Sequence, residues 1–530
     1  MDRRTILAMT LCFVIYLGWQ KLYIEPRLHP ESVGALPLKT PSPASSPQTQ
    51  GNPVLLSQNI SPQPPSKPQQ KGEPQKTLEE ISLLTEIGTV VLNHAGPFFQ
   101  NWVLKDYKLG LSPESSAVDL QSVTHQTREI SLAFDDHNFA YLNEVQGSLS
   151  KTPLGALWVY EDDQVKLTRE FKTSLSVPYV DTVIHAQFKK IQQPRYAFLS
   201  LSSSAIENDP EAQDRQIVYW TQQSIERLLL KDATELKEIP TPVKYVGATN
   251  RYFILSLIAQ SPMEAKGLIQ PVSSGKTHAS LVYPIPGNSL TLPVRVYFGP
   301  KELELLRRVE PTLDHTVDFG WFTVFAYPLL KTLRWFYQFL KNYGLAIICL
   351  TLLLKILTYP LTFKSMKSMK KMAALQPQLQ RIREKHKDDR EALNREMLTM
   401  MKSHGYNPMA GCLPMLIQMP IFFALYRVLY SSIELYHAPF ALWIHDLSNR
   451  DPYYVTPILL SLTMFVQQKL TPNTATDPTQ AKMMQLMPLI FGAFMLTLPS
   501  GLTIYMLVNA LASIVQQLIL NKKLNAAPAR

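Results

Sequence analysis

Apolar positions recur along this chain with different periods in different regions. From about Leu78 to Val309 they alternate. Val180, Ile184, Ala186 and Phe188 fall on one parity, and Tyr179, Asp181, His185 and Gln187 on the other. Val294, Val296 and Phe298 alternate with Arg295 and Tyr297, and Thr89–Asn93, Tyr196–Leu201 and Arg251–Ile258 read the same way. Successive side chains of a strand point to opposite faces, so this period, broken by Gly, Pro, Asn and Asp, predicts an antiparallel β-sandwich. In Leu313–Tyr343 the period lengthens. Trp321, Phe325, Leu329, Leu333, Phe336 and Leu340 step by three or four, with Lys331, Arg334 and Lys341 off that face. This predicts an amphipathic helix, kinked near Pro328, lying in a membrane interface; a domain-closing helix with a buried stripe is the alternative.

Beyond Tyr343 polar positions thin out. Gly344–Phe363, Met415–Leu435, Tyr453–Leu470, Met483–Leu498 and Ser500–Leu520 are apolar runs. About twenty helical residues span the roughly 30 Å of a bilayer's hydrocarbon core, so each reads as a membrane span. A further run, Ile6–Trp19, follows Arg3 and Arg4 without a small-residue cleavage site after it. It reads as an uncleaved anchor (1–25) rather than a signal peptide. Twelve prolines in Pro26–Lys76 mark an extended tether (26–77) that buries too little apolar surface to fold. The remaining expectations are a β-sandwich over 78–312, the interfacial helix over 313–343, a five-span core over 344–520 and a basic tail over 521–530.

Charge orients these segments. The net charge of +10 is unevenly placed, since Pro26–Gly320 has 27 Lys+Arg against 31 Asp+Glu and the remainder has 25 against 11. The basic excess therefore accompanies the apolar runs, which argues for membrane flanks rather than nucleic-acid specificity. Lys364–Gly411 carries eleven cations, whereas Tyr436–Pro452 has only Arg450. By the positive-inside rule both termini are cytoplasmic, there are six spans, and the β-domain lies outside. Within 364–406, Met369, Met372, Leu375, Leu379 and Ile382 form one helical pattern and Leu393, Met397 and Met400 another. This predicts a basic cytoplasmic hairpin, turning at His386–Asp389, with a methionine edge suited to adaptable contacts. Cys12, Cys349 and Cys412 all fall in or beside apolar runs, which excludes a disulfide framework and a zinc site. No HExxH, GxSxG, Walker A or GxGxxG arrangement is present, and neither a cofactor nor an enzymatic role is expected.

One charge sits inside a span. Lys355 is eight residues from Phe363, about 12 Å deep on the helical rise. It either snorkels to the interface or marks a functional site. Thr351, Lys355 and Thr358 form one stripe, and Tyr505, Asn509, Ser513 and Gln516 another. Gln418, Ser431, Ser432, Ser461, Thr463, Gln467, Gln468 and Gln485 read as glue between helices. Two continuous stripes, one with a cation, point instead to a water-accessible cavity.

Four segments carry a resemblance: NPMAGCLPMLIQMPIFFALY (Asn407–Tyr426), APFALWIHDLS (Ala438–Ser448), DPYYVTPIL (Asp451–Leu459) and PSGLTIYMLVNALASIVQQ (Pro499–Gln517). They closely resemble the YidC family of bacterial inner-membrane protein insertases, and the likeness runs through the whole chain in order. It implies a hydrophilic groove open to cytoplasm and lipid, with Lys355 at the position of the family's usual arginine and Thr351 and Tyr505 at groove positions. Met506 stands where relatives often have a second tyrosine. The large outer domain implies the Gram-negative form, with a β-supersandwich akin to sugar-binding enzymes but no enzymatic role. The resemblance further implies that the hairpin, with Arg381 and Arg383 beside Met369, Met372 and Met397, receives clients from ribosomes and the signal-recognition machinery. Nascent membrane proteins, the Sec translocon and membrane lipids are the expected partners. The alternatives are a small-solute transporter or channel, which would more naturally show repeated halves with broken helices, and a membrane-anchored carbohydrate enzyme.

Overall fold

The computed structural model describes residues 80–95, 98–124, 130–189, 194–204, 214–240, 242–260, 264–273, 275–386, 389–403, 409–471 and 478–526. The expected anchor, the tether and Cys12 lie outside the described residues. The chain divides into two units: one comprises the residues to Thr316 save Gly110–Glu114, and the body of the other is Val317–Arg530. The boundary falls four residues beyond the expected 312. Leu313–Thr316 is a 3₁₀ turn whose Leu313, Asp314 and Thr316 are buried, with Arg307 Nε donating to Asp314 at 2.7 Å.

In the first unit every strand pairing among the described residues is antiparallel. The strands form sheets of four, five and nine. The largest runs from Ile225–Leu229 through Gln216–Trp220, Tyr245–Thr249, Phe253–Ala259, Ser289–Pro300, Val180–Phe188, Val165–Lys172 and Gly155–Glu161 to Ser148–Thr152. Its Tyr245–Thr249 strand packs on Tyr196–Ser204 and Lys276–Pro284 of the five-stranded sheet, which makes the expected sandwich.

Val180–Phe188 alternates as expected, its even-numbered residues all buried. Ser289–Pro300 departs from alternation at Tyr297, which is buried and donates from its hydroxyl to Pro300 O at 2.7 Å. There the sheet is covered on both faces, so period two no longer reports exposure. Asp181 and Arg295, cross-strand partners, form a two-point ion pair at 2.8 and 3.1 Å, with the guanidinium 3.7 Å from the centre of the Tyr179 ring. Burial pushes His278 down to about 4, so it is neutral at physiological pH. Among the described residues this unit also holds two short α-helices, α1 (Leu120–Thr124) and α2 (Leu303–Val309).

The second unit is helical: α3 (Thr323–Leu340), α4 (Tyr343–Lys385), α5 (Arg390–Ser403), α6 (Met409–Ser431), α7 (Val455–Leu470), α8 (Pro478–Met495) and α9 (Ser500–Ala526). Helix α9 packs between α4 and α7, while α8 lies on α7, and α6 lies on α3 and α4. Apolar side chains left exposed on α7, α8 and α9, among them Ile458, Leu462, Ile490, Phe494, Val515 and Leu518, make an outer surface suited to lipid. Among the described residues, Tyr343–Met369 and Ser500–Lys522 are long and apolar enough to cross a membrane, and Gln485–Met495 is a shorter apolar helix.

Three expectations change. The predicted helix over Leu313–Tyr343 is shorter: a second 3₁₀ turn, Gly320–Phe322, precedes α3, with Gly320 at φ +60°. Its single stripe is split. Leu329 and Leu333 are buried against the bundle, whereas Trp321 in that turn and Phe325 and Leu340 stay exposed, so the segment is apolar on two sides. The core span and the first hairpin helix are one helix of 43 residues, about 65 Å long. The lysine-, methionine- and alanine-rich Lys364–Ala374 contains good helix formers, and Pro360 and Pro377 lie inside the helix without ending it. Finally, α9 continues to Ala526, into the expected tail.

Candidate functional site

The site forms where α4 meets α9. Asn342 starts α4, its side chain accepting from Leu345 N at 3.0 Å. Thirteen residues further on, Lys355 lies about 20 Å along the helix. Its ammonium donates to Ser513 Oγ at 2.7 Å, and Gln516 Nε2 donates to Lys355 O at 3.2 Å. The cation is therefore held across the helix–helix seam rather than extended toward an interface. Residues 505, 509, 513 and 516 recur at three- and four-residue steps on α9, so one face carries the stripe. Leu511, Val515 and Leu518 occupy the exposed side.

The hydroxyls are arranged consistently. Thr351 donates to Ile347 O at 2.7 Å, Thr358 to Leu354 O at 2.8 Å and Ser513 to Asn509 O at 2.8 Å. A hydroxyl that donates to its own helix keeps acceptor lone pairs for the seam, which is how Ser513 receives the ammonium. Thr351 and Tyr505 are buried, and Thr358, Asn509, Ser513 and Gln516 are half-buried. Tyr505 Oη accepts from Gln418 Nε2 at 3.2 Å, which ties α6 to α9. The structure thus brings Lys355, Ser513 and Gln516 into direct contact and places Tyr505 in a second contact with Gln418. Ser461 and Thr463, read as glue, bond to carbonyls of their own helix at 2.9 and 2.7 Å.

The hairpin turns where expected, α4 ending at Lys385 and α5 beginning at Arg390. Glu396 receives Lys385 at 3.2 Å and also His386. Leu375 and Leu379 are buried, Met369, Arg383 and Met397 are half-buried and Arg381 is exposed; the side chain of Met372 lies outside the described residues.

Sequence reasoning missed a polar hub at one end of the bundle. Asp451, 1% exposed, accepts from Trp443 Nε1 (3.1 Å), Tyr453 N (3.0 Å), Thr456 N (2.8 Å) and Thr456 Oγ1 (2.8 Å). Thr456 and Thr503 hydroxyls meet at 3.1 Å, and Ser500 N and Oγ both donate to Asn449 O at 2.7 Å. The α6–α7 connector is thereby lashed to the starts of α7 and α9. The sequence offered no capping signal for it: Tyr454 stands at the start of α7 without a side-chain cap, and Asp451 lies five residues before Thr456. Burial raises the Asp451 pKa, but the Thr456, Tyr453 and Trp443 donors outweigh it and hold the carboxyl below its ordinary 3.8. A depressed carboxyl contributes stability that is present above the ordinary value and lost as pH falls through the folded one. Thermal unfolding of the wild type and Asp451→Asn, followed from pH about 6 to about 3, should therefore show melting temperatures that converge on acidification. A constant difference would exclude the charge as the cause.

A bundle of apolar helices with a cation, hydroxyls and amides meeting at an internal seam, carried on one chain with an antiparallel β-unit, defines a helical membrane protein with polar groups between its helices. Comparison with known proteins sharpens this class. Residues 335–527 match the model described as 60Kd inner membrane protein, and residues 80–332 match the YidC periplasmic domain. The membrane protein insertase YidC of Geobacter metallireducens is 33% identical over 548 residues, covering 100% of both chains. That of Geotalea daltonii is 46% identical over 294 residues, 55% of each chain. A solved active YidC insertase covers 84% of this chain and 93% of its own at 18% identity and a TM-score of 0.35.

The chain belongs to the YidC family of membrane protein insertases. It is an inner-membrane insertase with a periplasmic domain, acting on nascent membrane proteins, and not an enzyme. The solute-transporter and carbohydrate-enzyme alternatives are thereby set aside.

Proposed function

We propose that the α4–α9 seam is the insertion groove, and that Lys355 is its positive wall. The observation that carries this reading is the 2.7 Å contact of the Lys355 ammonium with Ser513, which keeps a cation between the helices. Moving a polar tail through hydrocarbon strands its hydrogen-bonding groups, at several kcal/mol for each unsatisfied one. A wet groove shortens the dry path. Lys355 transiently attracts acidic or polar tail residues, and the membrane potential, about 2.3 kcal/mol per charge per 100 mV, favours outward movement of negative tails. The hydrophobic segment of the client then leaves sideways into lipid. Thr351, Thr358, Tyr505, Asn509, Ser513 and Gln516 line the path.

In this reading the chain has six spans with both termini cytoplasmic, and α3 with the turn before it, exposing Trp321, Phe325 and Phe339, lies in the interface against membrane lipids. The hairpin around Met369, Met372, Arg381, Arg383 and Met397 receives clients from the ribosome and the signal-recognition machinery, and the Sec translocon is the cooperating partner. The test is site-specific crosslinking from Thr351, Lys355 and Tyr505 to a ribosome-stalled nascent chain. Adducts are expected from all three positions but not from the exposed Ile458 or Ile490 while the client's polar tail is being moved. Adducts from the exposed positions alone would overturn the groove.

A further inference from the structure

We propose that Gln516 reads the chemistry of the client's tail: together with Lys355 it forms a donor–acceptor pair for a neutral amide, so the groove takes amide-bearing tails as well as acidic ones. This rests on the insertion-groove reading above and adds a substrate class to it. The orientation of the Gln516 carboxamide is set by its partner. Lys355 O can only accept, so the atom 3.2 Å from it is the nitrogen. The other end, Oε1, is then a buried acceptor with no hydrogen-bond partner among the described residues. Buried acceptors are rarely left unpaired, and a donor brought into the seam by a client would complete this one.

The neighbouring charge supplies the complement. Lys355 has three N–H donors, of which one is directed to Ser513. Ser513 and Gln516 are three residues apart on α9 and share a face, so both act at the same level of the seam. A carboxylate tail needs only the ammonium. A peptide group or an Asn or Gln side chain offers its C=O to the ammonium and its N–H to Gln516 Oε1, and the pair suits it at both ends. A compact ammonium leaves room for the second contact, whereas a planar guanidinium would be shaped for two-point binding of a carboxylate.

The test uses full-length protein in proteoliposomes and two clients that differ only in the tail, one bearing Asn and Gln, the other Asp and Glu at the same positions. Gln516→Met removes the acceptor at similar volume, and the amide-to-acid ratio of insertion rates should fall about fivefold, the worth of one hydrogen bond. Gln516→Glu keeps an acceptor but adds negative charge, so the same ratio should rise; this arm decides the matter if the methionine variant does not fold. An unchanged ratio in the folded variants overturns the role of Gln516. Separately, Lys355→Met should slow both clients, and if neither slows, the groove reading itself fails.

Discussion

Lys355→Glu lowers insertion of a two-span client by purified protein in proteoliposomes by roughly tenfold or more, while Lys355→Arg keeps it within about threefold. The asymmetry follows from the surroundings of the side chain. Ser513 Oγ donates to Asn509 O and offers its lone pairs to the ammonium. A carboxylate at 355 would face those lone pairs with the ammonium gone. It would also repel, at close range, the acidic tails that the lysine attracts. Arginine keeps the sign but spreads the charge over a planar group, and its reach past Ser513 differs. Equal activity of the two variants would show that the charge has no role.

The second large effect concerns stability. Glu434→Ala should destabilise the helical unit by about 3 kcal/mol, read as thermal unfolding in detergent. Arg334 on α3 contacts Glu434, in the 3₁₀ turn after α6, through both Nε (2.7 Å) and Nη2, and the two side chains are only 19% and 10% exposed. Alanine would leave a guanidinium largely out of water with its carboxylate gone. Most of the cost is the loss of the counter-charge from a guanidinium held largely out of water, not the worth of the pair. The double variant Arg334→Met, Glu434→Met should therefore recover most of the loss. If the double variant is as unstable as Glu434→Ala, the ion pair is not what holds α3 to α6. The geometry of this contact matters beyond stability, because α3 keeps Leu329 and Leu333 packed against the bundle while its other apolar side remains exposed.

Much of this was legible in the residues. Alternation marked the strands, and it failed at Tyr297 because burial on both faces erases the polar parity. The two polar stripes, spaced by three and four, already placed Lys355, Ser513 and Gln516 on helix faces. Helical periodicity could not reveal that Lys364–Ala374 would carry α4 straight through the expected boundary, since nothing in it stops a helix.

What the sequence determined by itself is local: period, helix faces, the position of one cation within an apolar run, and the loop charges. These depend on residues a few positions apart, and the geometry of helix and strand converts spacing into facing. What only the tertiary structure decided is which faces meet. The bond from Lys355 to Ser513 spans 158 positions, Gln418 to Tyr505 spans 87, and Arg334 to Glu434 spans 100. Such pairings depend on how helices pack against one another, a property of the whole bundle that no single stretch of sequence encodes.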